Sequence, residues 1–256
     1  MQAIVVARAA GVVTVTMNRP EKKNAINPAM WRELLDTFAD VAERQEDRVM
    51  VLTGAGGAFC SGADLSPEGG DRPHPLAWMR HIADVALELH RLPKPTIAKV
   101  GGVAAGAGLN LALGCDLIVA SDDARFSEIF TRRGLSIDGG GSWLLPRLIG
   151  LHKAKELAFF AEVIGAKEAS ELGLVNRVVA AAELDGAVES WARRLADGPP
   201  LALSMTKTML NKSFEVSMDQ ALEDEARCQT VNFSTADTGE AIAAFMAKRE
   251  PRFSGR

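Results

Sequence analysis

The sequence predicts an α/β fold built mainly on parallel strands, and three observations predict it. Short apolar or alternating runs of strand length take turns with longer runs at helical spacing through most of the 256 residues. No linker or internal repeat interrupts that alternation. Residues 94–116 (KPTIAKVGGVAAGAGLNLALGCD) hold in one stretch a buried strand, a glycine-rich turn and a buried helix. Such a helix is the crossover that parallel strands require.

The elements follow in order. Residues 3–7 and 12–17 alternate and read as two strands joined at 9–11. Asn18-Arg19-Pro20 and Lys22-Lys23-Asn24-Ala25 form a polar loop. Asn27-Pro28 is a cap followed by proline at the first helical position, and Met30, Leu34, Leu35, Phe38 and Val41 continue at helical spacing. Residues 49–53 are a short buried strand, 54–57 a turn, and 59–65 read FCSGADL. Residues 66–75, rich in Gly, Pro and Asp, read as a mobile loop that shapes a pocket, ahead of an amphipathic helix over 78–92. Within the central stretch, 96–100 is the strand, Gly101, Gly102, Gly106 and Gly108 form the turn, and 109–113 is apolar on nearly every face. A strand over 117–120, a turn over 122–126 leading into 127–133, and a second glycine-rich loop over 134–141 come next. Helices are expected over 142–149 and 151–161, split at Gly150, and over 167–172, stopped by Gly173. A strand over 175–179 and a helix over 184–196 precede Gly198-Pro199-Pro200. Residues 201–248 read as wholly helical, an arm that packs on something such as a neighbouring subunit.

The composition narrows the function. With 47% hydrophobic and 24% charged residues, the chain suits one large core, or one with a helical appendage. A net charge of −4 with no basic block argues against nucleic acid as a partner. Cys60, Cys115 and Cys228, odd in number and far apart, suggest a reducing compartment without a disulfide framework. His74, His81, His90 and His152 show no metal-ligand spacing. No leader, membrane span or peroxisomal address is legible, so the expected setting is cytoplasmic, with no membrane partner.

The glycine turn carries chemistry of its own. A bare helix start leaves backbone N–H groups without internal partners and favours negative charge. Two phosphate motifs fail here. Gly106 is followed by Ala107-Gly108 rather than Lys and Ser/Thr, and Leu111 stands where a dinucleotide fingerprint needs glycine. Tight packing of strand on helix calls for such glycines equally well.

In its motifs the chain resembles the enoyl-CoA hydratase/isomerase (crotonase) superfamily. The motifs are Asn18-Arg19-Pro20…Asn24-Ala25, Thr53-Gly54…Phe59-Cys60-Ser61-Gly62-Ala63-Asp64-Leu65, Lys94-Pro95…Gly106-Ala107-Gly108…Cys115-Asp116, Leu145-Pro146-Arg147…Gly150, Gly173-Leu174-Val175, Pro199-Pro200 and Phe245…Lys248-Arg249…Pro251…Phe253. The resemblance implies a crotonase-like spiral of ββα repeats over residues 1–198, holding the CoA-binding and catalytic groups. It implies a helical region over 199–256 for packing as a homotrimer or dimer of trimers. It also implies an acyl-CoA substrate whose coenzyme A is part of the substrate, with no separate cofactor or metal. The thioester carbonyl would lie between the N–H groups of Ala63 and Ala107, in an oxyanion hole. The family usually has glycine at the place of Ala107, and alanine still offers its N–H. Lys22, Ala25, Asp64 and Leu65 match loop edges that flank adenine and pantetheine, beside Gly106. Phe245 and Lys248 match residues that reach a neighbour's nucleotide. Lys22 and Lys248 also read as solvated surface charge.

The reaction is less clearly written. Family hydration uses two glutamates, and ungapped counting places Asn110 and Phe130 at their positions. Neither can take a proton from water. Glu128 lies near, but it matches only with a register shift, and it reads as a partly exposed or ion-paired carboxylate. Asp138, in GLSIDGGG, matches the aspartate of dienoyl-CoA and ring-epoxide phenylacetyl-CoA isomerases. An Asp-Gly turn or a helix cap would use it as well. One base suffices to move a double bond, and burial against Ile137, Phe130 and Trp143 would raise its pKa. Trp78, Met79, Phe130 and Trp143 are candidates for lining the acyl pocket, and core packing would place them similarly. Asp116 reads as a brace for the glycine turn. The expectation is double-bond or ring isomerisation, with hydration or non-catalytic acyl-CoA binding as alternatives.

Overall fold

The protein is described by a computed structural model over residues 2–66 and 74–256. Most of the 66–75 loop therefore lies outside the described residues. β1 (Ile4–Ala9) and β2 (Val12–Met17) form a hairpin, with Ala10 and Gly11 at positive φ turning the chain between Ala9 and Val12. α1 (Pro28–Glu43) starts where the sequence places it: Asn27 Oδ1 accepts the Met30 N–H at 2.9 Å, and Met30, Trp31, Leu34, Phe38 and Val41 face the core. β3 (Val49–Gly54), α2 (Pro75–Arg91), β4 (Thr96–Val100), β5 (Val103–Ala105), α3 (Ala107–Gly114), β6 (Leu117–Ser121) and β7 (Arg125–Ser127) follow. A 3-10 turn (Ile129–Arg133), α4 (Gly141–Ile149), α5 (Leu151–Phe160), β8 (Ile164–Gly165), α6 (Ala166–Glu171), β9 (Arg177–Val179) and α7 (Leu184–Ala196) complete the core.

The main sheet has the order β1-β2-β3-β4-β6-β9 and is parallel except at the β1–β2 hairpin. Its two faces are covered by different elements. Val49, Val51, Ile97 and Val119 pack under Leu184, Val188 and Ala192 of α7. Val13, Val15, Leu52, Ala98 and Val100 lie in a separate cluster with Leu34 and Phe38 of α1, Leu89 of α2 and Leu111 of α3. Burial on both sides explains why β3 is a continuous apolar run rather than an alternating one.

A second sheet, β5-β7-β8, is absent from the sequence-based reading, which has turns over 101–106 and 122–126. Its strands are only two or three residues long, so each depends on its neighbour rather than on local propensity. The result is a main-sheet strand, a small-sheet strand and a helix, repeated as β4–β5–α3 and again from β6 through β7 to α4. This is the expected spiral of ββα turns.

The C-terminal region, read as wholly helical, is interrupted between its helices by short turns. It is three helices, α8 (Pro200–Lys212), α9 (Met218–Phe233) and α10 (Ala236–Ala247). Ser217 and Thr235 cap the second and third with their hydroxyls. α9 buries none of its residues in the single chain. Lys207 of α8 ties this region to the core, pairing with Asp116 at 2.9 Å and donating to the Lys94 carbonyl at 3.0 Å. Asp116 in turn accepts the Thr96 N–H and hydroxyl, so it braces the start of β4 rather than the glycine turn where it was expected to act. Among the described residues no helix is long and apolar enough to cross a membrane.

Candidate active site

Two bends of the backbone meet at the start of α3. Gly106 caps the helix at φ 52°, a conformation that favours glycine, and a Cβ there would stand 3.2 Å from Ile129 Cγ2. Ala107 is the first helical residue. The 59–63 segment runs alongside, with Cys60 N–H donating to the Val103 carbonyl and Ala105 N–H to the Cys60 carbonyl, both at 2.9 Å. A Cβ on Gly108 would be 2.4 Å from the Cys60 carbonyl oxygen, so only glycine lets the helix approach this closely. A Cβ on Gly62 would lie 3.9 Å from the Ala107 nitrogen, which brings the two bends together. Ile26 N–H donates to the Gly62 carbonyl (2.8 Å) and Asp64 N–H to the Ile26 carbonyl (2.9 Å). In a parallel bridge those bonds flank Ala63, whose own N–H therefore points away from Ile26. Among the described residues no acceptor pairs with the N–H of Ala63 or Ala107.

One helical turn beyond Ala107 stands Asn110, 1% exposed, whose Nδ2 donates to the Asp138 carbonyl at 2.8 Å. The second glycine-rich loop wraps around it. A Cβ on Gly141 would fall 2.5 Å from the Asn110 carboxamide, and one on Gly139 would touch Asn110 Cβ at 3.5 Å. Asp138 is half-buried, its Oδ1 buried without a partner, and burial pushes its carboxyl up to about 6. It is not the side-chain cap of α4, which starts from Gly140 with no such bond.

Glu128 corrects the sequence-based reading. It is neither partly exposed nor ion-paired: it is 1% exposed, and both carboxyl oxygens are buried without a hydrogen-bond partner. Burial pushes it up to about 8. The neighbouring Asn110 amide works in the other direction, and the charge of Asp138 adds to the rise. No sequence signal marks its burial, because the neighbours that act on it, Asn110 and Asp138, come from other segments of the chain.

The other expected site residues divide into two groups. Lys22 is exposed, and its carbonyl accepts the Ser61 hydroxyl at 3.1 Å, so its loop borders the 61–63 bend. Ala25 gives its carbonyl to Arg19 at 2.6 Å, and Arg19 pairs with Asp64 at 2.8 Å. Asp64 is held down to about 2 by the Ser66 hydroxyl and N–H, with Arg19 assisting. Leu65 stands 63% exposed beside it. Phe130 is buried with its ring against Gly106. Trp143 is half-buried between the Arg147 guanidinium, 3.9 Å from its ring centroid, and the His90 ring, edge-on at 5.1 Å. These residues surround the two bends or the loop. Phe245 and Lys248 do not: they are exposed on α10 and just past its end, and α10 packs chiefly on α9.

A cavity of about 690 Å³ runs between α2, α3, α4 and α8, lined by Leu87, His90, Asn110, Gly139, Trp143 and Lys207. Of the four acyl-pocket candidates, Trp143 alone lines it, while Trp78 packs on the core and Met79 is 40% exposed. His90 and Lys207 were not legible as lining residues. Their contacts come from helices more than a hundred residues apart in the chain. No cluster of three or more His, Cys, Asp or Glu among the described residues could hold a metal ion.

Residues 7–256 match the family described as enoyl-CoA hydratase/isomerase. The chain is 38% identical over 251 residues to a 1,2-epoxyphenylacetyl-CoA isomerase of Escherichia coli, covering 96% of each chain. It is 40% identical over 247 residues to a "probable enoyl-CoA hydratase" of Rhodobacter capsulatus, covering 96% of this chain and 95% of that one. The solved structure of an enoyl-CoA hydratase from Bacillus anthracis superposes with a TM-score of 0.95 at 32% identity, over 100% of both chains.

Proposed function

The chain belongs to the enoyl-CoA hydratase/isomerase (crotonase) superfamily, and on that premise we propose that it isomerises acyl-CoA thioesters with Asp138 as the proton shuttle. The carboxylate of Asp138 takes a proton from one carbon of the acyl chain. The electron pair moves onto the thioester oxygen as an enolate, held by the N–H groups of Ala63 and Ala107. Asp138 then returns the proton to another carbon. Preset N–H donors stabilise the enolate without reorganising, and one is worth ~2.7–4 kcal/mol in comparable sites. The reaction asks for no cofactor beyond the coenzyme A that the substrate carries.

The observation that carries this reading is the state of Asp138. It is a carboxylate on a loop clamped to Asn110, with its affinity for protons raised toward neutrality. The two positions where the family's hydratases have glutamates are Asn110 and Phe130, neither of which can exchange a proton with water. The acyl chain would extend into the cavity beside Trp143. The loop edges Lys22, Ala25, Asp64 and Leu65 would flank the pantetheine and nucleotide. Asp138→Asn is expected to lose turnover on 3-enoyl-CoA substrates while calorimetry still shows acyl-CoA binding. Retained turnover would reject the mechanism.

Hydration is the second reading, favoured by Glu128, a second carboxyl with a raised pKa close to Asp138. Addition of water to crotonyl-CoA by the wild-type protein would support it. Acyl-CoA binding with no conversion of either substrate class would instead make the chain a non-catalytic binder. The exposed apolar side chains of the C-terminal helical region, Phe214, Met218 and Phe233 among them, support assembly as a homotrimer or dimer of trimers. In that assembly Phe245 and Lys248 would meet a neighbour's nucleotide. The free cysteines support a cytoplasmic setting.

A further inference from the structure

The floor of the site holds more carboxyl groups than one proton shuttle needs. Glu128 Oε1 and Oε2, Asn110 Oδ1 and Asp138 Oδ1 are all buried, and none has a hydrogen-bond partner. They belong to one cluster: Asn110 is bonded to the Asp138 carbonyl, and Glu128 responds to both residues. All four oxygens are acceptors when the carboxyls are ionised, so no two can bond unless one carries a proton. Asn110 Nδ2 gives one N–H to the Asp138 carbonyl and its second can serve a single Glu128 oxygen, which leaves the remaining acceptors without a donor. A carboxyl proton is the donor the cluster lacks, and Glu128, the more buried acid, is where charge costs most.

Among the described residues, the surroundings supply no cation in compensation. α3 (AGLNLALG) has no titratable side chain, and the Cys60 thiol beneath it is pushed up to about 12 by burial and stays neutral. Arg125, Arg132 and Arg133, on the strand and turn that flank Glu128, are exposed. On α5, Lys153 pairs with Glu156 and Lys155 is exposed; on α6, Lys167 pairs with Glu171 in solvent. Arg147 of α4 lies on Trp143. Asp138 is the charged group acting on Glu128.

We propose that Glu128 is a positioning residue of this site, held beneath Asn110 as the neutral acid, where its proton completes the hydrogen bonding of the floor and leaves Asp138 the only anion. This rests on the isomerase reading of Asp138. The environment separates the two carboxyls, Asp138 at about 6 and Glu128 at about 8. Between those values one is a base and the other an acid, the arrangement a proton-transfer site uses. The signs follow. Turnover rises as Asp138 ionises through about 6. It falls as Glu128 loses its proton through about 8, because a second negative charge then faces both Asp138 and the developing enolate.

The test compares pH–rate profiles of the wild type, Glu128→Leu and Glu128→Gln on a 3-enoyl-CoA. Leucine supplies no donor, and the rate near neutrality is expected to drop about tenfold, the worth of one hydrogen bond. Glutamine supplies a neutral donor of the same shape, so it restores most of that loss and abolishes the alkaline fall. Glu128→Gln as slow as Glu128→Leu, or an alkaline fall that persists in Glu128→Gln, would overturn the proposal. Carbon-13 NMR of carboxyl-labelled glutamate in the wild-type protein, with Glu128→Gln identifying the signal, provides a readout independent of turnover and of whether the leucine variant folds. A Glu128 signal that stays protonated past neutrality supports the proposal, and one titrating in the ordinary carboxylate range overturns it. If Asp138→Asn keeps its turnover the isomerase reading falls, and the NMR titration still decides the state of Glu128.

Discussion

At the scale of single residues, the site depends on groups with nothing else to do. The N–H of Ala107 is free because it opens a helix, and that of Ala63 because the bonds on either side of it go to Ile26. The sequence made the first legible: a glycine-lined helix start exposes donors whatever surrounds it. Proline at the first helical position keeps the helix while removing that one donor. Ala107→Pro should therefore lower turnover by about 10²–10³ with helix content unchanged by circular dichroism and acyl-CoA binding largely kept. An unchanged rate would remove Ala107 from the oxyanion hole. Asp138 was also legible, since its glycine-rich setting is a motif. The burial of Glu128 was not, because its neighbours Asn110 and Asp138 lie on other segments of the chain.

At the scale of elements, two glycine-rich segments set the geometry from opposite sides of α3. The first lets α3 press onto Cys60, and the second lets the 134–141 loop close over Asn110. The buried helix of the first was readable from its unbroken apolar character, and all eight residues of α3 are buried. The strands of the small sheet were not readable, because Val103-Ala104-Ala105 between glycines resembles a turn until β7 pairs with it. The break before α9 was written in the sequence as Ser217-x-x-Gln220, a helix-start pattern that the general helical character of the region obscured. Gly141→Ala tests the second segment. The new methyl would overlap the Asn110 carboxamide, so it should displace Asn110 from Asp138, cost about 1–3 kcal/mol in thermal or denaturant unfolding, and depress turnover more than binding. Equal stability and turnover would show that the loop does not clamp Asn110.

For the whole molecule, the order of motifs along the chain carried the fold, because alternating strands and helices leave few ways to connect a parallel sheet. The assembly was less legible. Its signal is the exposure of Phe214, Met218, Leu222 and Phe233 on a helical region that buries little within its own chain. Light scattering on the purified protein should return three or six times the 27.3 kDa chain mass, and Phe233→Glu should shift it toward the single chain. A monomeric wild type would leave these side chains unexplained and remove the neighbour's Phe245 and Lys248 from the CoA site.

The central claim, one aspartate moving one proton over an enolate held by two amides, is tested most directly by isotope transfer. A 3-enoyl-CoA deuterated at the carbon next to the thioester is turned over in ordinary water, and the product is read by NMR and mass spectrometry. A single buried carboxyl serving both carbons predicts deuterium delivered to the far carbon in a substantial fraction of molecules, with the transfer lost in Asp138→Asn. A product carrying only solvent hydrogen at that carbon, formed equally well by Asp138→Asn, would contradict it.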